Sequence, residues 1–530
     1  MKNICKFFLP VLMLLSCSKT PADSVSIPDQ SPDGEVSHEM IVLGEKMEDP
    51  YAVENVRRAY TMLYPTKSAR NDVRPTDLYV RFLPENEAQY QALVATGIYI
   101  LDHPVDYRIL KEGDYYQDPA VAEDAITWQY AVVSKDFAFP EGIRYELLDE
   151  CYLAEHDPAT RAPGCDVDWD AVERAAYEIT GNADLLLPAT KADGTPVTGT
   201  PTGRITIVDK DYAGGKPFGV AGVMVSCNSF VKFTHAYTDR DGYYTMPKSF
   251  KANPRYRLVF HNELGFSIGF NLVLIPGSIS TLGKGTAEGL SAQITTESNG
   301  SLFRRCAVNN AAYDYYTRCG ESDMNITAPP SDIRFWIFKE MNSSSASMLH
   351  HGAFLDNNLF SKYLGQYAAL IKTFLPDITI GCAGVNDYSL IYRSVTHELS
   401  HASHFAQVGK TFWNPYITYI IMSWVSGSSC YGDGSDVDAG YCEVGEMWAY
   451  YMESKMYQDR YGGSMPTFGT SYWFYPQIFR YLDERGFPRS YIFKALTSEV
   501  NSRQALQKKL LELYPSRQSL INQVFERYAD

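Results

Sequence analysis

The chain has 530 residues, 45% of them hydrophobic, enough to bury several cores and too much for a peptide, a coiled coil or a disordered tail. Lys plus Arg total 47 against 63 Asp plus Glu; the net charge of −16 argues against nucleic acid or an anionic membrane surface as partner, because both need a basic face. Aromatics make up 14%, led by 39 Tyr, whose apolar ring and wet tip suit ordered surfaces.

Residues 1–17 read as an export signal, with Lys2 and Lys6 as the basic start and Phe7 to Leu15 as the apolar stretch. No later stretch reaches the ~20 apolar residues of a membrane-spanning helix; Tyr416 to Val425, the most apolar, carries Thr, Ser and Tyr. Leu14-Leu15-Ser16-Cys17 resembles a bacterial lipobox, in which the Cys becomes the lipidated first residue. The resemblance implies an envelope lipoprotein anchored by a lipid on Cys17, in the outer membrane and facing either periplasm or surface. Residues 18–39, with their Ser, Pro and Asp, then form a polar tether. Of ten cysteines, Cys5 leaves with the signal and Cys17 is acylated; eight remain in an exported chain, where disulfides persist. Cys151 with Cys165, Cys306 with Cys319 and Cys430 with Cys442 are the candidate local pairs, leaving Cys227 and Cys382 joined to each other or free. No CxxC is present to build a cysteine metal site.

Residues 40–187 form a mixed region. Asp77 to Leu83 alternates like a strand, Glu85 to Thr96 has helical spacing and Gly97 to Leu101 is a second strand, a β-α-β unit; a helix over Trp169 to Ile179, capped by Asp168, closes the region. Without a motif it is assigned as scaffold, with recognition or latency as alternatives. Residues 188–203, rich in Pro, Thr and Gly, are a linker. From 204 to 285 the pattern changes to short alternating runs, Arg204–Val208, Gly222–Cys227, Ala236–Thr238, Tyr243–Thr245 and Tyr256–Phe260, which predict an antiparallel β-sandwich with a tight turn at Asp239 to Gly242. Gly222 to Val225 and Thr238 to Tyr244 resemble the carboxypeptidase regulatory-like, or transthyretin-like, module. That resemblance implies a sandwich that packs beside a catalytic domain and contributes no catalytic residue.

Residues 286–530 carry the chemistry. Ser394-Val-Thr-His397-Glu398-Leu-Ser-His401-Ala-Ser-His404 concentrates three of the ten histidines in eight residues of a helical pattern from about Asp387 to Gln407, with Asn386 or Asp387 to cap it and Gly409 to end it. Residues i and i+4 share a helix face, so His397 and His401 can offer two imidazoles to one metal ion, while Glu398, one step round, stands where a general base is needed. Downstream, Glu446, Ala449, Tyr451 and Glu453 lie on a second helical pattern, with Ala449 small enough to let two helices approach. These residues resemble the Glu-x-x-Ala-x-Tyr-x-Glu helix of the gluzincin peptidases, the thermolysin-like and aminopeptidase-like zinc enzymes. The resemblance implies Zn2+ as cofactor, His397, His401 and Glu446 as ligands, Glu398 as base, and a peptide or protein as substrate. Glu443 is a competing ligand. His404 stands as a metal-site neighbour or as a simply exposed residue. The metzincin pattern is not met, because Gly and the distal His are replaced by His404 and Gln407.

Asp332 to Phe338 and Asp377 to Gly381 predict strands and Asn357 to Phe374 an amphipathic helix. In zincins the strand ahead of the active helix binds substrate backbone, a role that falls on Ile378, Thr379, Ile380 and Gly381. Tyr472, Tyr475 and Tyr491 are candidates for a hydroxyl that stabilises an oxyanion, and Asp433 to Asp438 is an acidic loop with a Ca2+ reading. The whole is a multidomain α+β chain: a small N-terminal α/β domain, an antiparallel β-sandwich and a mostly helical zincin-like catalytic domain. Endopeptidase activity is favoured over aminopeptidase, since no Gly-rich signature for gripping a substrate N-terminus precedes the helix. The rival is a surface lipoprotein that binds peptide or glycan around a structural or degenerate zinc site. Substrate identity and oligomeric state are not written in the sequence.

Overall fold

The computed structural model describes residues 18–19, 40–66, 73–122, 125–163, 165–188, 199–269, 278–297, 300–338, 343–344, 377–425, 431–466 and 472–528. Cys17, Cys430 and the helix expected over 357–374 lie outside them. The chain is mixed α/β with several antiparallel sheets.

The N-terminal region holds α1 (Val53–Leu63), β1 (Asp77–Leu83), α2 (Glu87–Val94), β2 (Ile100–Leu101), β3 (Gln129–Ser134), β4 (Arg144–Cys151) and α3 (Trp169–Ile179). Asn86 and Asp168 cap α2 and α3 by accepting the Gln89 and Ala171 amides, each at 3.0 Å, a contact worth about 1 kcal/mol per helix. The sheet runs β2-β3-β1-β4 with every neighbour antiparallel. β1, α2 and β2 therefore follow the expected order, but β3 is inserted between the two strands and splits the unit. Alternation along β1 sends Val80 and Phe82 to a core shared with Leu93, while Tyr79 faces one that includes Phe230 and Val231 of the sandwich.

The sandwich is built from β5 (Thr202–Ile207), β6 (Met224–Ser229), β7 (Lys232–Tyr237), β8 (Tyr243–Thr245), β9 (Arg255–Val259), β11 (Ile279–Lys284) and β12 (Ala292–Ile294); β10 (Ser267–Ile268) leaves it for another sheet. One layer runs β7-β6-β9-β11 and the other β8-β5-β12. The Asp239 to Gly242 turn carries the chain from one layer to the other. Asp239 Oδ1 accepts the Asp241 and Tyr243 amides at 2.9 Å, and Gly242 has φ 85°, where an added Cβ would come 2.1 Å from the Ile205 carbonyl oxygen.

The C-terminal region begins with α4 (Gly300–Cys319) and continues through β13 (Arg334–Phe338), β14 (Ile378–Gly381), α5 (Tyr388–Val408), α6 (Lys410–Val425) and α7 (Ala439–Tyr461). Four shorter helices, α8 (Gln477–Glu484), α9 (Arg489–Ala495), α10 (Arg503–Leu513) and α11 (Gln518–Glu526), follow α7. β10, β13 and β14 form a parallel three-stranded sheet, so the sandwich segment lends a strand to the region that bears the helices. One continuous apolar core runs from Ile205 through α4, α5 and α7 to Phe525.

The cysteine pairing expected from the sequence is corrected here. Cys306 and Cys319 are free thiols on the same helix, α4; 13 residues of helix separate them by about 20 Å, far beyond the about 7 Å a disulfide can bridge. Cys151 is also free, buried in the core at the end of β4, while its expected partner Cys165 is exposed and free. Cys442, the described member of the third pair, is buried, and its expected partner Cys430 lies outside the described residues; Cys227 and Cys382 are buried and free. Among the described residues no helix is long and apolar enough to cross a membrane.

Candidate metal centre

The helix that carries the histidines forms where its sequence calls for one. Asp387 caps α5 by accepting the Ser389 amide at 2.9 Å and the Leu390 amide at 3.3 Å, and Gly409, at φ 67°, ends it. His397 and His401 then project from one face toward α7. Glu446 reaches the same point from α7, where Gly445 and Ala449 keep the surface low: a Cβ on Gly445 would already stand 3.2 Å from the Tyr416 ring of α6.

His397 Nε2 and His401 Nε2 are 3.2 Å apart, and each lies 3.5 Å from an oxygen of Glu446. All three ligand atoms fall within 4.8 Å of one another. A tetrahedral zinc with Zn–N near 2.05 Å has ligand–ligand edges of about 3.3 Å, so the triangle has the size such an ion needs. The surroundings fix each member. His397 Nδ1 donates to Glu453 Oε2 at 3.1 Å, and Arg393 Nε donates to the other oxygen of Glu453 at 2.8 Å, which sets the imidazole tautomer and aims Nε2 at the site. The Tyr416 hydroxyl donates to Glu446 Oε1. The Tyr450 ring packs 4.6 Å from the His397 ring, and its hydroxyl joins a chain with Tyr431 and Tyr472.

Electrostatics ask for a cation at this point. With both imidazoles neutral, the three carboxylates of Glu398, Glu446 and Glu453 stand against the one guanidinium of Arg393, a formal charge of −2 in a site where each of these carboxylates is at most 5% exposed. A divalent cation cancels that charge. In its absence His397 takes the charge instead: burial works against the imidazolium, but hydrogen bonds to Glu446 and Glu453 and the charge of Glu398 lift it to about 10. His401 is pushed the other way, mainly by burial and then by the charges of His397 and His404, and so stays in the neutral form that ligates. Burial opposes the charge on Glu453, but Arg393 and His397 hold it below the usual carboxylate range.

The remaining expected residues fall in different places. Glu398 follows His397, is fully buried and is not among the converging ligands. Glu443 turns away from the metal position: its Oε2 accepts the Arg503 amide at 3.0 Å at the start of α10. His404 is not exposed; it is buried against Phe412 and Trp413, and burial pushes it down to about 3. Tyr472 reaches the site through Tyr450, whereas Tyr475 packs on Tyr528 and Tyr491 on Tyr514, away from it. Ile378 to Gly381 end the three-stranded sheet, all four buried, and the Gly381 amide donates to Ser344 Oγ at 3.1 Å. Asp433 is used within its own turn, accepting from the Ser435 amide and hydroxyl. The one group of metal-ligating side chains found among the described residues is His397, His401 and Glu446.

Glu453 and Tyr416 were missed as partners of the ligands. For Glu453 a signal existed, since it lies seven residues, two helical turns, past Glu446 on the same face of α7. Nothing in the sequence pointed to Tyr416.

Fold and site together define a mixed α/β protein with a buried His-His-Glu group able to hold a metal ion. No family model, curated protein or solved structure matches the chain.

Proposed function

We propose that this chain is a zinc-dependent peptidase of the bacterial cell envelope, tethered through Cys17 and cleaving peptide bonds with Glu398 as general base. The reading is carried by the convergence of His397, His401 and Glu446 within 4.8 Å, with a second buried acid, Glu398, next to His397 in the chain. Two imidazoles and one carboxylate are the donor set of a catalytic zinc site. When bound, the ion supplies Lewis acidity and lowers the pKa of water. The chain's own residues do the rest: Glu453 and Arg393 hold the His397 ring in place, Tyr416 holds Glu446, and Glu398 takes the proton of the attacking water and returns it to the leaving amine. The likeness of Glu446, Ala449, Tyr451 and Glu453 to the gluzincin helix supports a peptidase, and the lack of an aminopeptidase signature supports an endopeptidase.

Metal content and peptide-library cleavage of wild type, His397→Ala and Glu398→Gln test the proposal. One zinc per chain is expected in wild type and Glu398→Gln and none in His397→Ala, with hydrolysis falling about 10²-fold or more in Glu398→Gln. A Glu398→Gln chain that cleaves as fast as wild type would refute the general-base role. One observation favours the rival, a peptide- or glycan-binding lipoprotein with a structural metal: His397, Glu398 and Glu446 are 0% and His401 1% exposed, a closed environment. That reading expects metal to raise thermal stability with no hydrolysis in any variant.

A further inference from the structure

A cavity of about 90 Å³ lies between the N-terminal region and the sandwich. Strand alternation creates its chemistry. Tyr256 and Leu258 of β9 point into the sandwich core, which turns Arg255 and Arg257 to the opposite face of the sheet. That face of a sandwich is ordinarily wet; here the N-terminal region covers it, and Arg257 is only 2% exposed.

The guanidinium of Arg257 touches no carboxylate; the buried acid nearest in the hydrogen-bond chain, Asp102, acts on it across the His103 ring. The guanidinium donates to Asn228 Oδ1 and, at 3.0 Å, to His103 Nε2, which faces it as an acceptor because His103 Nδ1 is held by Asp102 at 2.8 Å. Its Nε has no hydrogen-bond partner, and among the described residues no carboxylate forms an ion pair with it. Arg255, Arg108 and Lys284 line the same cavity; Asp184, exposed, is the only acid that does. Arg255 and Arg108 have carboxylate partners in Glu112 and Glu45, both well exposed to solvent. Burial, and then the charge of its neighbour Arg257, pushes Arg255 down to about 10. An unpaired buried charge is costly enough that proteins place an anion against it.

We propose that this cavity is a binding site for a small oxyanion, the carboxylate or phosphate group of a low-molecular-weight ligand, held by the guanidinium charges of Arg257 and Arg255 in its lining with Arg108 and Lys284 at the rim. Guanidinium groups in a fixed fork suit oxyanions, and 90 Å³ accommodates such a group with accompanying water. The site requires neither the metal nor peptidase activity.

The test is calorimetric titration of the full chain with sodium phosphate and, separately, sodium acetate, against sodium chloride at matched ionic strength. Saturable binding of one anion per chain is expected from at least one oxyanion, accompanied by a rise in melting temperature. Response to phosphate alone assigns a phosphorylated ligand, response to acetate alone a carboxylate, and response to both a general oxyanion site. Arg257→Gln should abolish binding. Should that variant not fold, the double variant Arg108→Ala, Lys284→Ala, whose side chains are exposed, decides: it should weaken binding about tenfold while keeping the fold. No saturable oxyanion binding, or binding unchanged in the double variant, overturns the proposal.

Discussion

What a buried carboxylate does is decided by the donor it meets. Glu443 and Glu446 are three residues apart on α7, yet Glu446 turns its oxygens to two imidazoles and Glu443 turns to the first amide of α10. Glu446→Ala is therefore expected to lose the metal, whereas Glu443→Ala should retain it and lose about 1–3 kcal/mol of stability as the buried Arg503 amide, in a helix already capped by Ser502, loses its acceptor. Elemental analysis and urea denaturation of both variants check this; retention of metal by Glu446→Ala would reassign the ligand. Glu453→Gln should bind metal about 10- to 100-fold more weakly, because the His397 ring loses its charged partner. That His397 and His401 share a face was legible in the sequence, since i and i+4 lie one helical turn apart, whereas Glu446 entered only through a resemblance. The behaviour of His404 was not legible. Whether a helical residue is exposed depends on what packs over it, and Phe412 and Trp413 arrive from a different helix.

At the level of elements, close packing between α6 and α7 sets the position of Glu446. Gly445 leaves room for the Tyr416 ring, whose hydroxyl holds Glu446. Gly445→Val should push that ring aside, costing about 1–3 kcal/mol through overpacking and weakening metal affinity although no ligand is changed. A variant with lower stability but unaltered metal affinity would show that Tyr416 does not position Glu446. Elements with caps and a clear period were read closely: α5 runs Tyr388–Val408 between Asp387 and Gly409, and α3 starts at its Asp168 cap. α4 escaped notice because it is buried on nearly every side, from Ser301 to Cys319, and so lacks the polar stripe that marks an amphipathic helix. Without that helix, Cys306 and Cys319 read as neighbours on a loop. The split of the β-α-β unit was equally invisible, because β3 arrives from some 30 residues further on and strand pairing is not local.

Across the whole molecule, composition and patterning suggest an order of regions, but strand pairings between distant segments leave no trace there. β10 and β12 are two and three residues long, too short to announce themselves, yet β10 joins the sheet that ends in β14 and β12 runs parallel to β5. With one apolar core reaching from Ile205 to Phe525, the helical region is expected to depend on the sandwich. A fragment of residues 286–530 should be insoluble or molten and hold no metal, by circular dichroism and elemental analysis. A soluble fragment that takes up one metal per chain would establish that the helices stand alone.

The rings around the ligands also give the molecule an optical property. Trp413, one of seven tryptophans, has its ring centre 5.4 Å from that of His401. Paramagnetic Co2+ or Cu2+ at the His-His-Glu group would sit close enough to quench this indole, so part of the intrinsic fluorescence should dim in step with occupancy. In Trp413→Phe that dimming should disappear while uptake persists. The metal centre would then carry its own reporter, and loading could be followed in real time without a substrate.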